Sequence, residues 1–168
     1  MRGVFVTFEG TEGSGKTTQI QRLSADLAIQ RYSVIVTREP GGTAISEQIR
    51  SLLLDPENTA MKSTTELLLY AASRTQHVLE KIIPALEEGK VAISDRFADA
   101  SLAYQGYGRG VDINLIRSLN QVATNEIVPD ITFLLDLPVD IGLKRAGKRG
   151  QGFDRLEREK TEFHQRVR

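Results

Sequence analysis

Gly10-Thr11-Glu12-Gly13-Ser14-Gly15-Lys16-Thr17 fits the pattern G-x-x-x-x-G-K-[ST] at every fixed position. Its flanks fit as well. Val4-Phe5-Val6-Thr7-Phe8 is an apolar, β-branched and aromatic run of strand type, and Thr18 to Arg31 sets Ile20, Leu23, Leu27 and Ala28 at helical spacing. Strand, Gly-rich loop and helix start together make a phosphate cradle. The glycines let backbone N–H groups turn inward, and the helix start adds unpaired donors and a positive dipole end. Lys16 supplies a mobile cation and Thr17 a hydroxyl suited to Mg²⁺.

Three further runs of strand type follow, Ser33–Thr37, Val91–Ser94 and Ile131–Leu135. Helical patterns lie at Lys16–Arg31, Ala44–Leu54, Thr64–Glu88, Ile113–Glu126 and Val139–Arg149. Short apolar strands alternating with helices predict a three-layer α/β fold of P-loop NTPase type. Its central parallel sheet is covered by helices on both faces. The 168 residues read as a single domain. Ligands of such sheets bind beyond the carboxyl ends of the strands. The residues there are Glu9, then Arg38-Glu39-Pro40-Gly41-Gly42-Thr43, then Asp95-Arg96, then Asp136.

Composition narrows the chemistry. Lys+Arg and Asp+Glu are 22 each, so no global field draws the chain to nucleic acid or an anionic membrane. With no cysteine and only two histidines, His77 and His164, neither a disulfide framework nor a zinc site is expected. No apolar stretch approaches the ~20 residues that span a bilayer, and the N-terminus lacks signal-peptide form. A soluble, cytoplasmic protein is the default expectation.

Each remaining cluster has two readings. Asp95 either holds Mg²⁺, directly or through its waters, or caps the next helix. Arg38 either clamps a phosphate from a rigid turn or is a surface residue of it. A cis peptide is expected before Pro40. Tyr70 and Arg74 are four apart and share a helix face. They suit a nucleobase, one by stacking and the other by hydrogen bonds. The bland reading is a core tyrosine beside a snorkelling arginine. Ala103–Gly110 reads either as a Gly-rich loop in which Tyr104 packs on a sugar and Gln105 reads a base edge, or simply as a flexible loop. Lys144 to Arg155 is a dense basic run broken by Gly147, Gly150 and Gly152. It is either a lid that closes over polyphosphate or a solvated loop; Asp154, Glu157 and Glu159 argue against an extended nucleic-acid surface.

Taken in order, these motifs resemble thymidylate kinases over essentially the whole chain. Arg-Glu-Pro-Gly-Gly-Thr at 38–43 is the most specific match, and Gly at position 13 with a basic lid over about 144–155 resembles the bacterial type. The resemblance implies phosphorylation of dTMP to dTDP by MgATP, in dTTP biosynthesis, by a homodimer that binds neither nucleic acid nor membrane. It implies ATP binding by Gly10, Thr11, Glu12, Gly13, Ser14, Gly15, Lys16, Thr17 and Thr18, with Arg145 near adenine. Thr17 and Asp95 would hold Mg²⁺. For dTMP it implies Glu9 at the 3′-hydroxyl, Arg38 and Arg96 at the phosphate, and Tyr70 on thymine. Arg74 and Gln105 would bind base edges and Tyr104 lie at ribose C2′, with Pro40 and Ser101 beside them. Lys16, Arg96 and a lid arginine, Arg149 or Arg155, would be the catalytic cations. Family members normally continue through a last strand and helix, which this chain is expected to lack or not to show. The rivals are a kinase for another nucleoside monophosphate and a P-loop ATPase or switch.

Overall fold

The computed structural model describes residues 2–148, 150 and 152–168. Its sheet is parallel throughout, in the order β2-β3-β1-β4, with β1 Val4–Glu9, β2 Val34–Arg38, β3 Val91–Asp95 and β4 Ile131–Leu134. Crossover helices join the strands: α1 Lys16–Ile29, α2 Ala44–Leu54, α3 Ser63–His77, α4 Ile83–Glu87, α5 Ala98–Ser101 and α6 Ile113–Ala123. α7 Val139–Gly147 and α8 Thr161–Val167 follow β4. No helix among the described residues is long and apolar enough to cross a membrane.

The period of two along each strand builds the layers. Phe5 of β1 and Ala92 of β3 face one side, where Val78, Ile82, Leu86 and Phe97 close over them. Val6, Phe8 and Ile93 face the other side, against Ile20, Leu23 and Leu27 of α1. A third cluster of Leu53, Tyr70, Tyr104, Leu156, Phe163 and Val167 lies beyond the strand ends.

Three expectations change. Burial on both faces fails at β4, an edge strand exposed along its length, with Leu134 74% exposed. The single helix read over Thr64–Glu88 is α3 and α4 joined by a π-helical turn, Val78–Ile82. Pro84, just after it, has no N–H for an ordinary helical bond, and a wider turn accommodates that loss. Ala103–Gly110 is no loose loop, since Leu102–Gly108 is a π-helical turn. Its glycines serve packing: a Cβ on Gly106 would lie 2.4 Å from Ile113 Cδ1, and one on Gly108 2.6 Å from Phe163 Cε2.

Phe5 is fully buried and meets Phe97 edge-on, with ring centroids 4.9 Å apart. Phe5→Ala is expected to cost about 3–5 kcal/mol, the range for deleting a buried aromatic. A denaturant midpoint that does not fall would show that this face of the sheet is not the core.

Candidate active site

A cleft of about 1070 Å³ opens beyond the carboxyl ends of the strands. The phosphate loop forms one wall. Its Gly15 caps α1 in the left-handed region at φ +100° and lends no side-chain hydrogen bond, so the first-turn amides stay open to a ligand. Lys16 Nζ donates to Gly10 O at 2.9 Å and Thr11 O at 3.0 Å. Burial, and then Arg96, lower its pKa to about 8. Thr17 Oγ1 donates to Asp95 Oδ2 at 3.3 Å, which sets a hydroxyl and a carboxylate together at the start of α1. This hard-oxygen pair fits Mg²⁺, which takes few protein ligands and keeps waters and phosphate oxygens. No cluster of three or more Asp, Glu, His or Cys suited to a metal occurs among the described residues.

Gly13 is set by packing. It sits at φ +68°, and a Cβ there would lie 2.3 Å from Gly142 O of α7. Arg145 of the same helix reaches back, with Nη1 3.4 Å from Gly13 O.

The opposite wall carries the other candidates. Arg96 holds φ +71°, a left-handed conformation uncommon for a long side chain. Its Nη2 donates to Glu12 Oε1 at 3.0 Å and to the Tyr104 hydroxyl at 2.9 Å, and Tyr104 donates to Glu12 Oε1 at 2.5 Å. Its guanidinium also lies over the Tyr104 ring, 4.9 Å from the centroid. Burial alone would weaken the charge on Arg96, but Tyr104 and Glu12 hold its pKa well above the usual arginine value. Burial opposes ionisation of Glu12 too, yet Arg96 and the Tyr104 hydroxyl bring its pKa below the carboxylate norm. The side chain of Glu12, expected on the ATP side, thus turns away to the facing wall.

Arg38 ion-pairs with Glu47 at 3.0 Å and borders the cleft. Glu39-Pro40 is cis, as expected. Tyr70, Arg74, Ser101 and Gln105 line the same cavity. Arg74, 2% exposed, donates to Glu39 Oε2 at 2.7 Å, Ser101 Oγ at 3.0 Å, Asn120 Oδ1 at 2.6 Å and Phe97 O at 3.0 Å. It is a buried hub rather than a snorkelling side chain. Gln105 Nε2 donates to the buried Glu66 Oε1 at 2.9 Å.

Some candidates fall elsewhere. Glu9, Gly10 and Thr11 border a second cavity of about 400 Å³. Arg155 does not reach the cleft: Nε donates to Leu53 O at 2.8 Å and Nη1 pairs with Glu66 at 2.6 Å, which anchors the chain beyond the basic run. This corrects its reading as a mobile lid cation. Arg149 lies outside the described residues. Asp136 pairs with Arg168 at 2.6 Å. Sequence reasoning missed Arg50, which borders the cleft and donates to Pro40 O at 2.7 Å. Its place three residues after Glu47 on α2 was the available signal.

A phosphate loop on one wall, a hydroxyl–carboxylate pair at its foot and an arginine-lined wall opposite define a P-loop protein of the nucleotide-kinase class. The thymidylate kinase family profile matches residues 8–168. The chain belongs to the thymidylate kinase family. It is 56% identical to a thymidylate kinase of Halothermothrix orenii over 171 residues, covering 100% of this chain and 82% of the relative. It is 55% identical to one of Carboxydothermus hydrogenoformans, covering 100% and 82%. The crystal structure of thymidylate kinase from Ehrlichia chaffeensis superposes with a TM-score of 0.81 at 38% identity, covering 100% of this chain and 83% of that one.

Glu9 is 6% exposed, and burial raises its pKa from 4.5 to about 7, against the pull of Arg96. Between those values the unfolded carboxyl has lost its proton while the folded one keeps it, so stability falls as pH rises from 4.5 to 7. Glu9→Gln keeps an acceptor for the Phe97 N–H, now 2.7 Å from Glu9 Oε1. At pH 8 it is expected to stabilise the fold by roughly 1–3 kcal/mol, a gain that shrinks as pH falls toward 5. Equal denaturant midpoints for the two proteins at pH 8 would refute a costly buried charge.

Proposed function

We propose that this chain transfers the terminal phosphoryl group of ATP to the 5′-phosphate of dTMP, releasing dTDP and ADP, as a step of dTTP synthesis. The observation that carries the reading is the two-walled cleft, with an open-amide phosphate loop facing a separate arginine wall. A switch or ATPase needs only the first wall. In this reading the loop amides of 10–18 and Lys16 bind the ATP phosphates, and Arg145 borders its nucleoside. Arg38 and Arg96 bind the acceptor phosphate, and Arg50 joins them. Tyr70 stacks on thymine; Arg74 and Gln105 bind its edges from inside the cavity, where Ser101 and Pro40 shape the wall.

The acceptor phosphate oxygen is already an anion, so transfer needs no strong general base. Catalysis is alignment and charge neutralisation. Thr17 and Asp95 are the residues that would hold Mg²⁺, which when bound neutralises charge on the donor phosphates. Lys16 and Arg96 supply fixed positive charge from opposite walls, and Arg149 is the lid arginine that the reading retains. The reading includes a cytoplasmic homodimer. In its favour, Leu52, Leu68 and Val122 stand exposed on α2, α3 and α6, where α3 packs on both of the others.

Lys16→Ala is expected to lower kcat about 10²–10³-fold, the scale of losing one preorganised charge from a transfer site. Near-wild-type kcat would overturn its role. A panel of dTMP, dUMP and dCMP with MgATP should favour dTMP. ATP hydrolysis indifferent to all three would instead support an ATPase.

A further inference from the structure

His77 is fully buried and lies behind the cleft wall, outside the groups that meet substrate in the reading above. Its Nδ1 is 2.9 Å from Glu39 Oε1 and its Nε2 is 2.6 Å from Thr37 Oγ1. A carboxylate at Glu39 accepts, so Nδ1 carries a proton toward it, while Nε2 is hydrogen-bonded to the Thr37 hydroxyl, which can donate or accept. The other oxygen of Glu39 holds Arg74 Nε at 2.7 Å.

Arg74 has five N–H donors. Nε goes to Glu39, both Nη1 hydrogens go to Ser101 and Asn120, and one Nη2 hydrogen goes to Phe97 O. Among the described residues one Nη2 hydrogen is left without a partner, on a side chain that lines the cavity. Where it points depends on the whole fork, since the guanidinium is rigid. The ring of His77 also floors the turn at 41–43: a Cβ on Gly42 would lie 2.6 Å from His77 Cδ2.

We infer that His77 is a positioning residue for the acceptor base. Held by Thr37 and donating to Glu39, it fixes the carboxylate that sets the angle at which Arg74 presents its last N–H to a pyrimidine edge. A carbonyl at that edge accepts this hydrogen, as in thymine, whereas the amino group of cytosine does not. His77 therefore acts on base selection through two intermediates and touches no substrate. The inference rests on the dTMP reading above.

Two amides separate the paths. Asn at 77 places its NH₂ where Nδ1 stands and keeps the donor to Glu39. Gln places its amide where Nε2 stands, keeps Thr37 and drops Glu39. His77→Gln is expected to raise KM for dTMP about tenfold, the scale of one lost charge-assisted hydrogen bond. It should also narrow the preference for dTMP over dCMP and leave KM for ATP within about twofold, since the phosphate loop is untouched. His77→Asn should stay within about threefold of wild type in all three. Equal effects of the two variants, or a KM for ATP that rises with that for dTMP, would mean a merely structural histidine. If His77→Gln does not fold, Glu39→Gln reads the same path, and an unchanged KM for dTMP there overturns the inference. Wild type without any preference for dTMP over dCMP overturns the functional reading, and this one with it; wild type that prefers dTMP beside an unaltered His77→Gln overturns this one alone.

Discussion

The Glu39–Arg74 ion pair is the constraint on which the arginine-lined half of the cleft depends. Both side chains are almost wholly buried, at 3% and 2% exposure. Burying two charges costs several kcal/mol per ion unless every lone pair and proton finds a partner. Here the partners come from everywhere at once. Glu39 stands just past β2, Arg74 and His77 on α3, Ser101 on α5 and Asn120 on α6. Removing any one partner leaves a buried polar atom of the pair without its hydrogen bond. The network therefore cannot relax piecemeal, and it holds four separate stretches of chain in one register around the cavity.

A second polar hub couples that half to the phosphate loop. Glu12 leaves the loop to meet Arg96 and Tyr104 across the cleft. Arg96 pays for the contact with a left-handed backbone, which is stabilised by its N–H on Phe8 O at 2.9 Å and by Ser94 Oγ on its own carbonyl at 2.7 Å. The end of β3 and the π-helical turn are thereby tied to one loop by side chains rather than by sheet hydrogen bonds. The separation between the walls is set by the length of Glu12 and the reach of Arg96, both rigidly held.

The sequence made the donor half legible because its parts are contiguous. Strand, loop and helix lie within residues 4–29, and each signals itself by local spacing. Turn chemistry at 38–43 and the Tyr70–Arg74 face were legible for the same reason. What escaped was set by distant partners. Glycines at 106 and 108 looked like flexibility, but they make room for Ile113 and Phe163. Arg155 looked like part of a free basic run, yet Glu66, far back in the chain, captures it. His77 looked like an isolated histidine because Thr37 and Glu39 reach it only across the fold. Exposure along β4 was hidden because an apolar run reads alike on a central strand and on an edge.

Gly13 shows how one observation can carry two meanings. From the sequence, the lack of a side chain there points to the basic lid as the source of a catalytic cation. In the structure the same position is closed by geometry: φ +68° disfavours any side chain, and the carbonyl of Gly142 occupies the place of a Cβ. A Cβ on Gly142 would in turn lie 2.3 Å from Glu12 O, so helix and loop approach as closely as two backbones can. This contact seats α7 on the phosphate loop and brings Arg145 to Gly13 O. This placement of α7 and a side chain at position 13 are thus mutually exclusive. An arginine at position 13 would first push that helix away.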